Sequence, residues 1–341
     1  MDRGYRSAQG HPVSGEGEKE RCVHPSKVAQ VKKKGRPYNS FMSTDPPPVS
    51  YESYLKVPEL LGLQAPLSKP EAHDELQFII VHQVYELWFK LLLHEVRSTI
   101  LHMQKGEGGE AQWLLRRCIE IGRVLIQQIH VMETMSPSDF LGFRDILKPA
   151  SGLQSLQFRV LEYHCGPKDA RYIQLHAGNP ESRQALEQAF ASPSLWDAFC
   201  ELLKAKGLAA ENRETQLKSL VRIYTEREFL DLRQIAETLL EFDEAFRIWR
   251  FRHYLMAERM IGFKPGTGVA HTEQVGLGAK AETPAPSGSG CPFGGGGLPA
   301  TEAGQAFHDP GVVYLKGRVE IRYFPLLWEL RSHLGADGYG G

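Results

Sequence analysis

The stretch LQFIIVHQVYELWFKLLLHEV, residues 76–96, decides the class of fold. Phe78, His82, Tyr85 and Phe89 recur at steps of three and four, so on a helix they share one face. The run is apolar enough to raise the question of a membrane span. His82, Gln83, Glu86, Lys90 and His94 interrupt it too often for that, so it is expected to be the core helix of a protein without a membrane. Read outward, the helix begins between Ser68 and Asp74 and runs to about Lys105, where Gly106, Gly108 and Gly109 stop it.

Helical periodicity continues along the chain. A second helix covers about residues 110–134, and Ser136-Pro137 supplies an N-cap and a first-turn proline for the next. Residues 153–163 read as a helix stopped by Gly166-Pro167, with shorter pieces at about 180–206. The longest pattern spans about 214–261, where Phe242, Phe246, Trp249, His253, Met256 and Met260 form one apolar stripe. Helical patterning returns at about 312–334, with Pro325 as the expected break. There is no strand alternation and no repeat of fixed period, so the class is all-α, a helical domain over residues 48–335.

Two segments fall outside this pattern. Residues 1–47, with KVAQVKKKGRP and a closing run of three prolines, read as a disordered basic extension, and translation from Met42 would remove most of it. Residues 269–310, rich in Gly, Pro and Ala, read as an insertion within the domain.

The charges balance, with 40 Lys plus Arg against 41 Asp plus Glu, so no basic face suggests a nucleic-acid partner. Cys22, Cys118, Cys165, Cys200 and Cys291 are odd in number and form no CxxC pair. Neither a disulfide framework nor a zinc site is expected, and a cytoplasmic location fits best. The glycine run at 294–297 follows no strand and opens no helix, so it is no phosphate loop. HExxH and GxSxG are absent.

Three constellations can carry chemistry. In HDELQFIIVHQVYELWFK, Phe78 and His82 lie one turn apart; the histidine can bond a ligand or a metal, or be a satisfied core residue. In FLGFRDILKPASGLQSLQFR, Phe140 and Arg144 share a face, and Ser151-Gly152 follow in a loop. The guanidinium matches a carboxylate with two parallel bonds, or pairs internally with Asp139, Asp145 or Glu162. In AFRIWRFRHYLMAERMIGFKPGTG, His253 sits in the apolar stripe as a haem iron ligand would, or as a packed histidine. Arg250, Arg252 and Arg259 lie near it as candidate partners of haem propionates.

Together these blocks closely resemble the tryptophan 2,3-dioxygenase family, over about residues 50–268 and again over 311–334. The opening YESYLKVPELLGLQAPLS is similar to the family's start, with Tyr51, Tyr54 and Leu55 on its Y-x-x-Y-L pattern. The resemblance implies a homotetramer of helical subunits with haem b. It also implies cleavage of the indole 2,3 bond of L-tryptophan by O2 to give N-formylkynurenine, a step of tryptophan catabolism by the kynurenine pathway. It makes His253 the proximal iron ligand and His82 the distal acceptor of the indole N–H. Phe78 would pack on the indole, Arg144 would hold the carboxylate, Thr267 would meet the amino group, and Ser151 and Gly152 would line the distal pocket. Tyr51, Tyr54 and Leu55 would close it from a neighbouring subunit.

Four features depart from the family pattern. The insertion after Gly268 replaces a short glycine- and serine-rich stretch, Phe140 stands where Tyr can occur, and His130 stands where Trp or Phe is common. The region at about 204–230 is also short. The altered lid keeps open a haem monooxygenase of tryptophan or a modified tryptophan. A haem or tryptophan sensor without turnover is a third reading.

Overall fold

The computed structural model describes residues 48–262, 264–267 and 310–335. The extension at 1–47 and the insertion expected at 269–310, apart from Pro310, lie outside the described residues. The chain divides into an N-terminal unit ending at Lys56 and a second unit from Val57 onward. In the first, Ser50 caps the short helix α1 (Tyr51–Leu55) by accepting from the Ser53 amide at 3.1 Å.

The second unit is helical throughout, with no strand among the described residues. Its elements are α2 (Val57–Leu61), α3 (His73–Gln104), α4 (Gly108–Met132), α5 (Pro137–Arg144), α6 (Leu156–Cys165), α7 (Arg171–Leu175) and α8 (Pro180–Ala191). They continue with α9 (Leu195–Ala205), α10 (Arg213–Thr225), α11 (Leu230–Ile261), α12 (Pro310–Val319) and α13 (Pro325–Leu330). The all-α expectation holds.

Helix α4 is the spine. Both α3 and α11 pack along it rather than along each other, α6 and α9 flank α3, and α12 lies on α11. Gly122 lets α4 and α11 approach closely, since a Cβ there would stand 3.3 Å from the Ala245 methyl group. By length and composition alone α3 could span a bilayer. Its buried Glu95 is paired with Arg117 at 2.8 Å, and its apolar residues pack on α4, α6 and α9, so its apolarity serves the core.

Three helix expectations need correction. The pattern at 214–261 is two helices, because Glu226 adopts extended backbone and a 3-10 turn (Arg227–Phe229) buries Phe229 between them. The helix expected from Leu153 starts at Leu156, because Ser155 caps it after a separate 3-10 turn (Gly152–Gln154). The break expected at Pro325 falls just before it, at 320–324, so Pro325 opens α13 at its first turn rather than ending α12. That turn is pinned to α11, where buried Asp243 accepts from the amides of Tyr323 (2.9 Å) and Phe324 (3.1 Å) and from Trp328 Nε1 (2.9 Å).

Candidate functional site

Because α3 and α11 both pack along α4 and meet each other only at the rings of Tyr85, Phe89 and Trp249, a cavity of about 330 Å³ lies between them. The α3 face supplies Phe78, His82, Tyr85 and Phe89, and α11 supplies Trp249, His253, Met256 and Met260. Helical spacing foresaw both faces. Phe242 and Phe246, earlier in the α11 stripe, belong to the core.

His82 Nδ1 lies 2.7 Å from the Phe78 carbonyl, one turn back. A carbonyl oxygen only accepts, so Nδ1 carries the hydrogen and Nε2 keeps its lone pair. Burial pushes the His82 pKa down, against the opposing pull of the Phe78 carbonyl and Glu86. The Phe78 ring lies 4.1 Å from the His82 ring and 5.7 Å from Phe140, which continues an aromatic wall from α3 onto α5.

His253 stacks on Trp249, with ring centroids 5.6 Å apart and planes within 5°. Its pKa is pushed down to about 4, first by burial and second by His82 across the cavity. It is therefore a neutral imidazole, and no described residue hydrogen-bonds it.

Arg144 is 6% exposed and makes none of the three ion pairs open to it in sequence. Asp139 accepts from the Ser136 hydroxyl, Asp145 pairs with Lys148 at 2.7 Å, and Glu162 pairs with Arg159 and Arg318. Arg144 instead donates from Nη2 to the Pro265 carbonyl, leaving the rest of its fork without a partner among the described residues. Thr267 Oγ donates to the Ala150 carbonyl at 2.6 Å and keeps its lone pairs to accept. Gly266 and Thr267 line the cavity with Ser151 and Gly152, so the 264–267 segment is tied down at two points. Tyr51 and Tyr54 lie on α1, each 76% exposed, as is Leu55 to a lesser degree.

Packing sorts the charged residues near the cavity. Arg252 reaches Glu133 at 3.4 Å and Arg259 is exposed, so neither lines the cavity; Arg250 does. His130 also points elsewhere, 3.2 Å from Glu133. Sequence reasoning missed Arg159, Glu162, Tyr314 and Arg318, which form a charged end of the same cavity. Arg159 and Glu162, three apart in an otherwise apolar helix, were a usable signal; Arg318 gave none. Burial opposes ionisation of Glu162, but the Arg159 and Arg318 charges outweigh it and hold the pKa below the carboxylate range.

Comparison with known proteins agrees with this geometry. The family model described as tryptophan 2,3-dioxygenase matches residues 39–195 and 183–273. A tryptophan 2,3-dioxygenase of Nocardioides sp. is 41% identical over 293 residues, 84% of this chain and 95% of the relative. One from Xanthomonas euvesicatoria is 34% identical over 305 residues, covering 85% of this chain and 89% of that protein. One from Herpetosiphon aurantiacus is 41% identical over 233 residues, covering 64% and 88%. The chain belongs to the tryptophan 2,3-dioxygenase family.

Proposed function

We propose that the protein oxygenates L-tryptophan with O2, opening the indole 2,3 bond to give N-formylkynurenine in tryptophan catabolism by the kynurenine pathway. Both atoms of O2 enter the product, so the reaction balances without an external reductant. The observation that carries the reading is His82 and His253 on the two facing helices of one cavity, with Arg144 and Thr267 at its edge. The relatives' names do not favour the single-oxygen alternative.

The wall around His253 suits haem b. The imidazole is neutral, free of hydrogen bonds to described residues and flanked by Trp249, Met256 and Met260. No group of three or more His, Cys, Asp or Glu is placed to hold a metal ion among the described residues, whereas haem needs one protein ligand from this side. Bound at His253, the haem iron would supply O2 binding and activation.

The side chains do the positioning. His82 Nε2 accepts the indole N–H, and its lowered pKa leaves it a weak base, so orientation rather than strong base catalysis is its role. Phe78 and Phe140 pack on the ring. The free donors of Arg144 hold the carboxylate, and the Thr267 hydroxyl accepts from the ammonium. Ser151 and Gly152 shape the distal wall. Tyr51, Tyr54 and Leu55, exposed on α1, would close the pocket of a neighbouring copy in a cytoplasmic homotetramer. The Gly/Pro-rich stretch at about 269–310 would then be an insertion in the sequence of a helical domain at 48–335.

Mass spectrometry of the product from L-tryptophan and labelled O2 tests the reaction. Two labelled atoms are expected in N-formylkynurenine. One labelled atom would sink the dioxygenase reading, and binding without product would favour a sensor.

A further inference from the structure

The wall that α12 gives the cavity differs from the others in how it is held. Tyr314, Leu315 and Arg318 line the cavity, while Lys316 and Gly317 of the same helix are exposed. A single layer of chain therefore separates the interior from solvent there. The other walls are deeper: α6 buries every residue from Phe158 to Cys165, and α11 buries a stripe along most of its length.

Gly317 divides α12 into two unequal parts. On its C-terminal side the chain is pinned. Arg318 pairs with the buried Glu162 at 2.7 Å, Arg250 Nη2 donates to the Ile321 carbonyl at 2.6 Å, and Asp243 accepts from the amides of the buried Tyr323 and Phe324. On its N-terminal side, Val312 is the only buried side chain among those described. The side-chain hydrogen bond described there joins the hydroxyls of Tyr314 and Tyr172. Tyr172 itself is fixed, buried with the Arg159 guanidinium 4.1 Å over its ring. Packing does not require glycine at 317, since a Cβ there would meet nothing within 4 Å. Inside a helix, glycine weakens the helical conformation relative to alanine by a factor of about two to five. The weak point thus sits where the pinned part ends. Bending there takes Tyr314 and Leu315 out of the wall while Arg318 stays on Glu162, so no buried charge loses its partner. The bond given up joins two neutral hydroxyls, and water replaces it at modest cost.

We propose that the part of α12 before Gly317 is a gate, hinged at Gly317 and latched by Tyr314 on Tyr172, through which a large flat ligand enters and leaves the cavity. On the functional reading above, on which this inference rests, that ligand is haem. The gate lies beyond the residues the family model matches. The bonds of Arg318, Arg250 and Asp243 give it a fixed base.

The test uses the full-length chain prepared without haem. Haem entry is followed by stopped-flow absorbance, and release by capture with an excess of haem-free myoglobin. A gate governs both directions, so altering it changes both rates by one factor and leaves the affinity alone, whereas altering a ligand contact acts mainly on release. Gly317→Ala adds a methyl group in open space and favours the closed helix, so it should slow both rates by about two- to fivefold. Tyr314→Phe removes the latch and should speed both by about fivefold, the net worth of one hydrogen bond. Unchanged rates in Gly317→Ala overturn the hinge and the proposal with it. Faster release in Tyr314→Phe with unchanged entry makes Tyr314 a ligand contact and also overturns it. In the unaltered protein, the amides of residues 314–316 should exchange hydrogen faster than those of Tyr323 and Phe324. The reverse order sinks the proposal without any variant having to fold. Bound haem must also give the spectrum of a histidine-ligated iron. Without that spectrum the functional reading falls, whereas with it, and with both rates unmoved, only this inference falls.

Discussion

On one side of the cavity, Phe78 and His82 on α3 meet Phe140 and Arg144 on α5; on the other, α6, α11 and α12 bring together Arg159, Glu162, Arg250 and Arg318. The first side holds a neutral imidazole, an aromatic wall and one arginine with free donors. The second holds a buried ionic cluster built on Glu162, Arg159 and Arg318. On the proposed function the first receives the substrate, and it can be altered with modest damage to the fold. The second is part of the fold's own electrostatic balance.

The largest effect should come from the residue between the two sides. His253→Ala is expected to abolish stable haem incorporation; a variant with full haem content and an unchanged iron spectrum would refute the ligand assignment. Next, Glu162→Leu leaves Arg159 and Arg318 buried without a carboxylate and should lower unfolding stability by about 3–5 kcal/mol in urea. Unchanged stability would erase the distinction between the two sides. Arg144→Leu should act on binding instead, raising KM for tryptophan by the equivalent of about 2–5 kcal/mol. Its stability loss should be only about 1 kcal/mol, the net worth of the single bond to the Pro265 carbonyl. A large stability loss with an unchanged KM would reverse the assignment.

The smallest effect concerns pH. His164, on α6 beside Glu162, is pushed down to about 4 by burial and by Arg97, whose Nε donates to His164 Nε2 at 3.3 Å. A histidine held below its unfolded pKa stays neutral in the fold while the unfolded chain takes up a proton. Its contribution is complete above about pH 6.5 and is lost as pH falls toward 4, by up to about 3 kcal/mol. Urea midpoints measured between pH 7.5 and 5 should fall in the natural protein and fall less in His164→Gln. Parallel profiles would show that His164 does not contribute.

The substrate side was legible in the sequence because its residues sit close together along the chain. Phe78 and His82 are four apart on one helix, as are Phe140 and Arg144, so helical spacing alone places each pair on a face. The ionic side was not legible, because its partners are brought together across long separations. Glu162 meets Arg318 156 residues later, and no local pattern encodes that meeting. The choice of arginines shows the same limit. Arg250, Arg252 and Arg259 look alike in sequence, yet only Arg250 lines the cavity, because the rotation of α11 against α4 and α12 turns the other two away.

The sequence by itself determined the all-helical class, the two faces that meet across the cavity, and the family. Each follows from side-chain periodicity and from ordered motifs that need no partner to be recognised. The tertiary structure decided what those faces enclose. It released Arg144 from internal ion pairs, tied the 264–267 segment through Pro265 and Thr267, and gathered three arginines around one glutamate. Periodicity fixes which way a side chain points from its own helix; which charge it meets there depends on how helices pack, and that is a property of the whole chain.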